Sequence, residues 1–172
     1  TLNTLCSFHA ILQLTLNYSN SLHSKVPHRF LGHSPEIQSH PTISSNIARI
    51  NESILEAAAI SNFPEKVTLV AVSKGHSFDK IIEAFNAGII NFGENYLQEA
   101  LNKKLHLEEF AIQWHFLGPI QSNKCRLIAE NFDWVHSVDR IKVMKLLNDF
   151  RPSNAPPLNI CIQINSSGED TK

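Results

Sequence analysis

The sequence has few cysteines, almost no net charge and no long apolar run, and each shortage argues against a class of protein. Its three cysteines, Cys6, Cys125 and Cys161, lack CxxC spacing, which favours a reduced compartment over a structural zinc site. The formal net charge is −1, so no basic field would attract nucleic acid or anionic lipid. No run approaches the roughly 20 apolar residues of a membrane span. We therefore expect a cytoplasmic protein with no nucleic-acid or membrane partner. We also expect a monomer.

The first 41 residues differ in composition from the rest. They contain three charged side chains, Lys25, Arg29 and Glu36, and five of the nine histidines, without a period of 2 or 3.6. Three interpretations stay open: an organellar targeting peptide, a disordered extension, or upstream sequence carried along by an imprecise start. The last two are favoured, because a good targeting peptide has more arginine. No fold is assigned to residues 1–41, and no histidine pair there has metal-ligand spacing.

From Thr42 onward, apolar residues recur with regular periods. A helical face is predicted over positions 43–58, with Ser44 or Ser45 as its cap and Pro64 as its stop. Continuous apolar runs begin near positions 67, 89, 112, 134 and 158, and helical patterns separate them. Strands that alternate with helices at this spacing predict βα units around a parallel sheet.

The spacing favours a (β/α)8 barrel of the TIM type over an open doubly wound sheet. A doubly wound fold usually carries a Gly-rich phosphate turn after its first strand, whereas the first turn here, SKGHS, has one glycine. About five of the eight strands fit before Lys172, which predicts the N-terminal part of a barrel in residues 42–172. Because residue 1 is Thr and Met144 is the only methionine, we expect the sequence to be part of a longer chain.

Polar residues follow the predicted strands at their C-terminal ends, where barrels place functional side chains. Lys74 is the most informative of them, because it follows the apolar run 67–72 and apolar walls would partly desolvate its amine. Burial disfavours an ammonium ion and makes the amine available for Schiff-base formation with an aldehyde. The other strand-end residues are Glu94, Asn95, His115, Gly118, Ser137 and Asn165.

Ordinary structural roles compete with function at these positions. Lys74 could be a surface lysine that closes a strand, and spacing alone favours this interpretation. Glu94 could stabilise a helix N-terminus through the macrodipole. His115 and His136 are more often satisfied core or rim histidines than catalytic ones, and they lack metal-ligand spacing.

Five motifs occur in a fixed order and at a fixed spacing: LVAVSK, NFGENYLQEA, WHFLGPIQSNK, FDWVHSVDR and INSSGEDTK. Through them the sequence from about Thr42 to Lys172 resembles the pyridoxal phosphate homeostasis protein family, also called YggS-type or alanine racemase N-terminal-like. Each motif alone is weak, but five in register make the resemblance specific. Residues 1–41 do not resemble the family.

The resemblance implies a (β/α)8 barrel with an extra N-terminal helix and pyridoxal 5′-phosphate held as a Schiff base on Lys74. It implies that Asn95, His115, Ser137 and Asn165 line the pocket and that the phosphate-binding loops lie beyond Lys172. No catalytic residue and no metal are implied. The implied role is a carrier without established turnover, which serves intracellular homeostasis of the cofactor and passes it to apo-enzymes.

Two other functions stay open. The first is a pyridoxal phosphate-dependent amino-acid racemase or related enzyme, which needs an acid–base residue on each face of the substrate α-carbon. In alanine racemase one of these residues comes from a second, all-β domain, and its lysine stands in a different local motif. The second is an inactive, truncated barrel fragment, whose open strand edges would make it poorly soluble or molten.

Overall fold

The computed structural model describes residues 42–60 and 67–164 in full, and the backbone of residues 11–15. Strands and helices alternate along these ranges. The strands are β1 (Ile11–Thr15), β2 (Thr68–Val72), β3 (Asn91–Glu94), β4 (Gln113–Phe116), β5 (Trp134–Val138) and β6 (Asn159–Ile162). The helices are α1 (Ile43–Ile60), α2 (Phe78–Asn86), α3 (Leu97–His106), α4 (Cys125–Asn131) and α5 (Ile141–Phe150), with a 3-10 turn, Ser122–Lys124, before α4.

The order of the strands identifies the architecture. All described strands are parallel, and their order in the sheet is their order in the chain, β1 to β6. A doubly wound sheet reverses its order at a switch point, and no reversal occurs among these strands. The predicted α/β barrel-type fold is therefore confirmed: β2–β6 are five strands of a curled, incomplete barrel, and α1 is the extra helix in front of them.

Strand β1 lies in the segment to which the sequence assigned no fold. It pairs in parallel with β2 along its whole length, from Ile11 beside Thr68 to Thr15 beside Val72. In a closed barrel the last strand would occupy this edge of the first βα strand, so β1 takes the place of a closing strand. The rest of residues 1–41 lies outside the described residues, and its disordered or extraneous character stays a prediction.

Helix α1 uses a cap other than the two that the sequence suggested. Thr42, rather than Ser44 or Ser45, is the cap, because its Oγ1 accepts a hydrogen bond from Ser45 N at 3.1 Å. Its carbonyl accepts a second bond from Ser45 Oγ at 3.0 Å. The helix ends at Ile60, and the predicted stop, Pro64, lies outside the described residues.

Strand β3 begins two residues later than its apolar run predicts. Gly88, with φ +95°, ends the turn after α2, and its N–H donates to Phe85 O at 2.9 Å. Ile89 then enters the core at 5% exposure, so pairing starts only at Asn91. Ile89 therefore precedes β3 and is not part of the strand.

The two faces of the sheet have different environments, as alternation along a strand requires. The outer face packs against the helices and forms the hydrophobic core, which includes Leu69, Ala71, Phe92, Trp114, Phe116 and Val135. Gly93 lies on the inner face between Leu117 and Val70. A Cβ atom on Gly93 would lie 2.5 Å from Leu117 Cδ1 and 3.3 Å from Val70 Cγ1, so Leu117 would have to move to admit a larger residue there.

Candidate functional site at the C-terminal ends of the strands

The strand register sets the height of each candidate residue. Val72 pairs with Gly93, and Gly93 pairs with His115. Lys74 and Asn95 therefore stand at a common level, each two residues beyond this aligned row. His115 lies within the row, one side-chain layer deeper in the barrel than Lys74. Lys74 and Asn95 thus follow the ends of neighbouring strands at the mouth, and His115 lies deeper in the barrel.

Lys74 and Gly75 form the turn between β2 and α2, and both are exposed. Gly75 has φ +71°, a left-handed conformation that glycine adopts without strain. The expectation that apolar walls partly desolvate Lys74 is wrong for the described residues, because the turn lies beyond Val72, the last residue of the strand. Within the described parts of the chain, no hydrogen bond or ion pair engages Lys74 Nζ. The turn therefore offers an accessible primary amine.

Glu94 ends β3 and is fully buried. Its Oε1 accepts hydrogen bonds from Ser73 Oγ at 2.6 Å and from Lys103 Nζ at 2.7 Å. Its Oε2 accepts no hydrogen bond from the described residues. Burial raises the pKa of Glu94, and the bonds from Lys103 and Ser73 oppose that rise. The carboxylate thus bonds to Ser73 and Lys103, and the macrodipole role considered from the sequence stays a prediction.

Lys103 of α3 joins this carboxylate to the Lys74 turn. Its side chain is 4% exposed, and Nζ lies 2.6 Å from Ser73 O, 2.7 Å from Glu94 Oε1 and 2.6 Å from Glu99 Oε1. Glu99 Oε1 also accepts a bond from Gly75 N at 2.6 Å. The hydrogen bonds from Lys103 and Gly75 lower the pKa of Glu99, although its partial burial acts in the opposite direction. The buried ammonium thus contacts Ser73 directly and is linked to Gly75 through Glu99.

His115 is held in the barrel interior at both ring nitrogens. Its Nε2 lies 3.0 Å from Asn91 Oδ1, and its Nδ1 lies 2.9 Å from His136 Nε2. Because an amide oxygen only accepts, His115 carries its proton on Nε2, and His136 Nε2 donates to His115 Nδ1. The ring also stacks on Trp134, with centroids 5.6 Å apart and planes 5° apart.

The environment of this histidine pair keeps both rings neutral near pH 7. Burial lowers the pKa of His115 to about 3, and the neighbouring His136 contributes to the shift. Burial also lowers the pKa of His136 to about 4. These features are those of satisfied interior histidines. A role for His115 in lining a cofactor pocket stays a prediction.

The remaining candidates lie around the same end of the sheet. Ser137 donates from Oγ to Leu117 O at 2.8 Å, beside the register shift of β5. A Cβ atom on Gly118 would overlap the carbonyl oxygen of Asn95, so the ends of β3 and β4 approach closely there. Asn95 is half-buried. Asn165 lies outside the described residues.

Sequence reasoning missed the residues that tie these candidates in place. Lys103 could have been found, because it follows Leu97 and Ala100 at helical spacing and so stands on a buried face. Asn91 gave no signal, because its contact with His115 depends on the register of β3 and β4.

Two searches were negative within the described residues. They contain no group of three or more His, Cys, Asp or Glu side chains that could hold a metal ion. No helix among them is long and apolar enough to cross a membrane.

The described strands and helices form consecutive parallel βα units, and an accessible lysine follows the first strand of these units, β2. These features define a barrel-type protein with an amine at its mouth. The family described as "Alanine racemase, N-terminal domain" matches residues 42–169. The chain belongs to this family.

Its relatives include proteins associated with pyridoxal phosphate. The chain is 53% identical over 132 residues to the pyridoxal phosphate homeostasis protein of Pseudomonas aeruginosa, over 76% of this chain and 57% of that protein. It is 38% identical to PipY of Synechococcus elongatus PCC7942 with PLP bound, with a TM-score of 0.55, over 63% of this chain and 48% of PipY. The structure of PipY without PLP is 34% identical to the chain and has a TM-score of 0.63, over 76% of this chain and 57% of PipY. The chain therefore spans about half the length of these relatives.

Proposed function

We propose that this protein binds pyridoxal 5′-phosphate as a Schiff base on Lys74 and takes part in the intracellular homeostasis of that cofactor. The observation that carries the proposal is the accessible amine of Lys74 at the C-terminal end of β2. The homeostasis role of the Pseudomonas aeruginosa relative and the PLP-bound structure of PipY support it.

The described residues suit an aldehyde ligand. When bound, the cofactor supplies an aldehyde carbon that is open to attack by a primary amine. Lys74 Nζ forms the carbon–nitrogen double bond and gives up two hydrogens, and the aldehyde oxygen leaves as water. The exposed position of Lys74, free of hydrogen bonds and ion pairs within the described chain, meets the first requirement of this reaction. The proposed pocket also includes Asn95, His115, Ser137 and Asn165.

The proposal is a carrier and not an enzyme. Racemisation requires an acid–base group on each face of a substrate α-carbon. Within the described barrel interior, His115 and His136 are bonded to each other and have strongly lowered pKa values. The carrier would act as a monomer in the cytoplasm and release the cofactor to apo-enzymes. Exchange of the α-proton of alanine in heavy water at a rate that scales with protein concentration would favour a racemase instead.

A titration with pyridoxal phosphate tests the proposal. The product of the complete gene should develop the visible absorbance of a protein-bound Schiff base, and Lys74→Ala should abolish it. Lys145→Ala is the matched control, because Lys145 is an exposed lysine on α5, away from the strand ends. Equal absorbance in the Lys74 and Lys145 variants would refute attachment at Lys74.

A further inference from the structure

The backbone on either side of Lys74 is held by a buried charged cluster, formed by Glu94, Glu99 and Lys103. Ser73 is bound through two of its atoms: its carbonyl oxygen accepts from Lys103 Nζ, and its hydroxyl donates to Glu94 Oε1. Gly75 N donates to Glu99 Oε1 at 2.6 Å. The residues immediately before and after Lys74 are thus both attached to this cluster.

The cluster uses the full hydrogen-bonding capacity of its cation. A lysine ammonium has three donors, and Lys103 has three acceptors within 2.7 Å. The three acceptors come from the end of β2, the end of β3 and the first half of α3. Lys103 therefore connects the Lys74 turn to two other elements at one point.

Hydrophobic packing does not account for this arrangement. Burying a charged lysine beside carboxylates carries a desolvation cost, and a well-packed apolar side chain commonly stabilises a fold as well or better. Lys103 nevertheless stands on the helix face that also buries Leu97 and Ala100. An apolar residue could not bond to Ser73 O or hold Glu99 against Gly75 N. The polar cluster therefore forms hydrogen bonds to the turn that carries Lys74 which an apolar cluster could not form.

We propose that Glu94, Glu99 and Lys103 position Lys74 for attachment of the cofactor. They fix the backbone of Ser73 and Gly75. They thereby fix the position of the Lys74 Cα atom, from which the side chain extends. The inference rests on the function proposed above. None of the three residues is assigned a catalytic role, because they act through the turn.

Glu99 is the residue at which the inference is most cleanly tested. Its side chain is 29% exposed, so its removal leaves no hole in the core. In Glu99→Ala, the Gly75 amide loses its acceptor, whereas Glu99→Gln retains an oxygen at the same position. Glu130→Ala is the matched control, because Glu130 also belongs to an i,i+4 ion pair, with Arg126, on the exposed part of α4.

Two measurements on the product of the complete gene distinguish positioning from general stability. Without cofactor, hydrogen exchange of the Gly75 amide should accelerate in Glu99→Ala and stay near the wild-type rate in Glu99→Gln and Glu130→Ala. With pyridoxal phosphate, Glu99→Ala should bind about tenfold more weakly, the loss expected for one charge-assisted hydrogen bond. The Gln variant should recover most of that affinity.

The outcomes separate this inference from the function on which it rests. Equal affinity in Glu99→Ala and Glu130→Ala, with the cofactor attached to Lys74 in both, would refute the positioning role alone. Unchanged exchange at Gly75 in Glu99→Ala would also refute it, without any cofactor present. If the wild-type protein attaches no cofactor at Lys74, the proposed function itself fails.

Discussion

The interior histidine pair should make folding stability depend steeply on pH in mildly acidic solution. In the folded chain the pKa of His115 is lowered to about 3 and that of His136 to about 4, whereas the unfolded value is 6.5. Below pH 6.5 the unfolded state binds more protons than the folded state. The stabilisation is therefore complete above pH 6.5 and is lost as pH falls from 6.5 towards the folded pKa values.

The size of this effect follows from the unfolded pKa. At about pH 5, protonation of one unfolded histidine lowers the free energy of unfolding by about 2 kcal/mol. Both folded rings are still largely neutral at that pH, so the pair together accounts for about 4 kcal/mol. This is a large part of the stability of an ordinary domain.

The assay is urea denaturation of the chain at about pH 7.5 and about pH 5, compared with His136→Gln. The variant retains an amide donor for His115 Nδ1 but loses one titrating ring. Its free energy of unfolding should fall by about 2 kcal/mol less than that of the wild type between the two pH values. All other titrating groups change the free energy of unfolding by the same amount in both proteins. An identical fall in wild type and variant would show that the buried pair is not linked to folding.

Three further perturbations test the packing around the site. Gly118→Ala should lower the free energy of unfolding by about 1–3 kcal/mol, because the new Cβ overlaps the Asn95 carbonyl; an unchanged melting temperature would contradict this. Lys103→Met should cost about 3 kcal/mol by leaving Glu94 buried without its cation, and adding Glu94→Gln should recover part of the loss; an equal loss in both variants would count against the pairing. Arg151→Lys should cost about 1 kcal/mol in chemical denaturation, because the guanidinium bonds two carbonyls at the end of α4 and a third at residue 156, and wild-type stability would contradict this.

The sequence predicted the repeating units because their signals are local. Continuous apolar runs near 67, 112, 134 and 158 became β2, β4, β5 and β6, each within about two residues. The placement of Lys74 after β2 follows from the same run. Local turn chemistry was less reliable: Thr42 took the capping role expected of Ser44 or Ser45.

The missed features depend on contacts between distant parts of the chain. Lys103 lies 30 residues from Ser73, and only the folded sheet brings the two together. The depth of His115 depends on the register between β3 and β4, which the sequence does not reveal. The exposure of Lys74 was also misjudged, because it depends on which elements cover the end of β2.

The most direct test of the central claim is to locate the attachment site of the cofactor chemically. The product of the complete gene would be incubated with pyridoxal phosphate, reduced with borohydride, digested and mapped by mass spectrometry. We predict one phosphopyridoxyl group on the peptide that contains Lys74, in stoichiometric amount. Absence of that modification, or its presence on another lysine with Lys74 unmodified, would contradict the account.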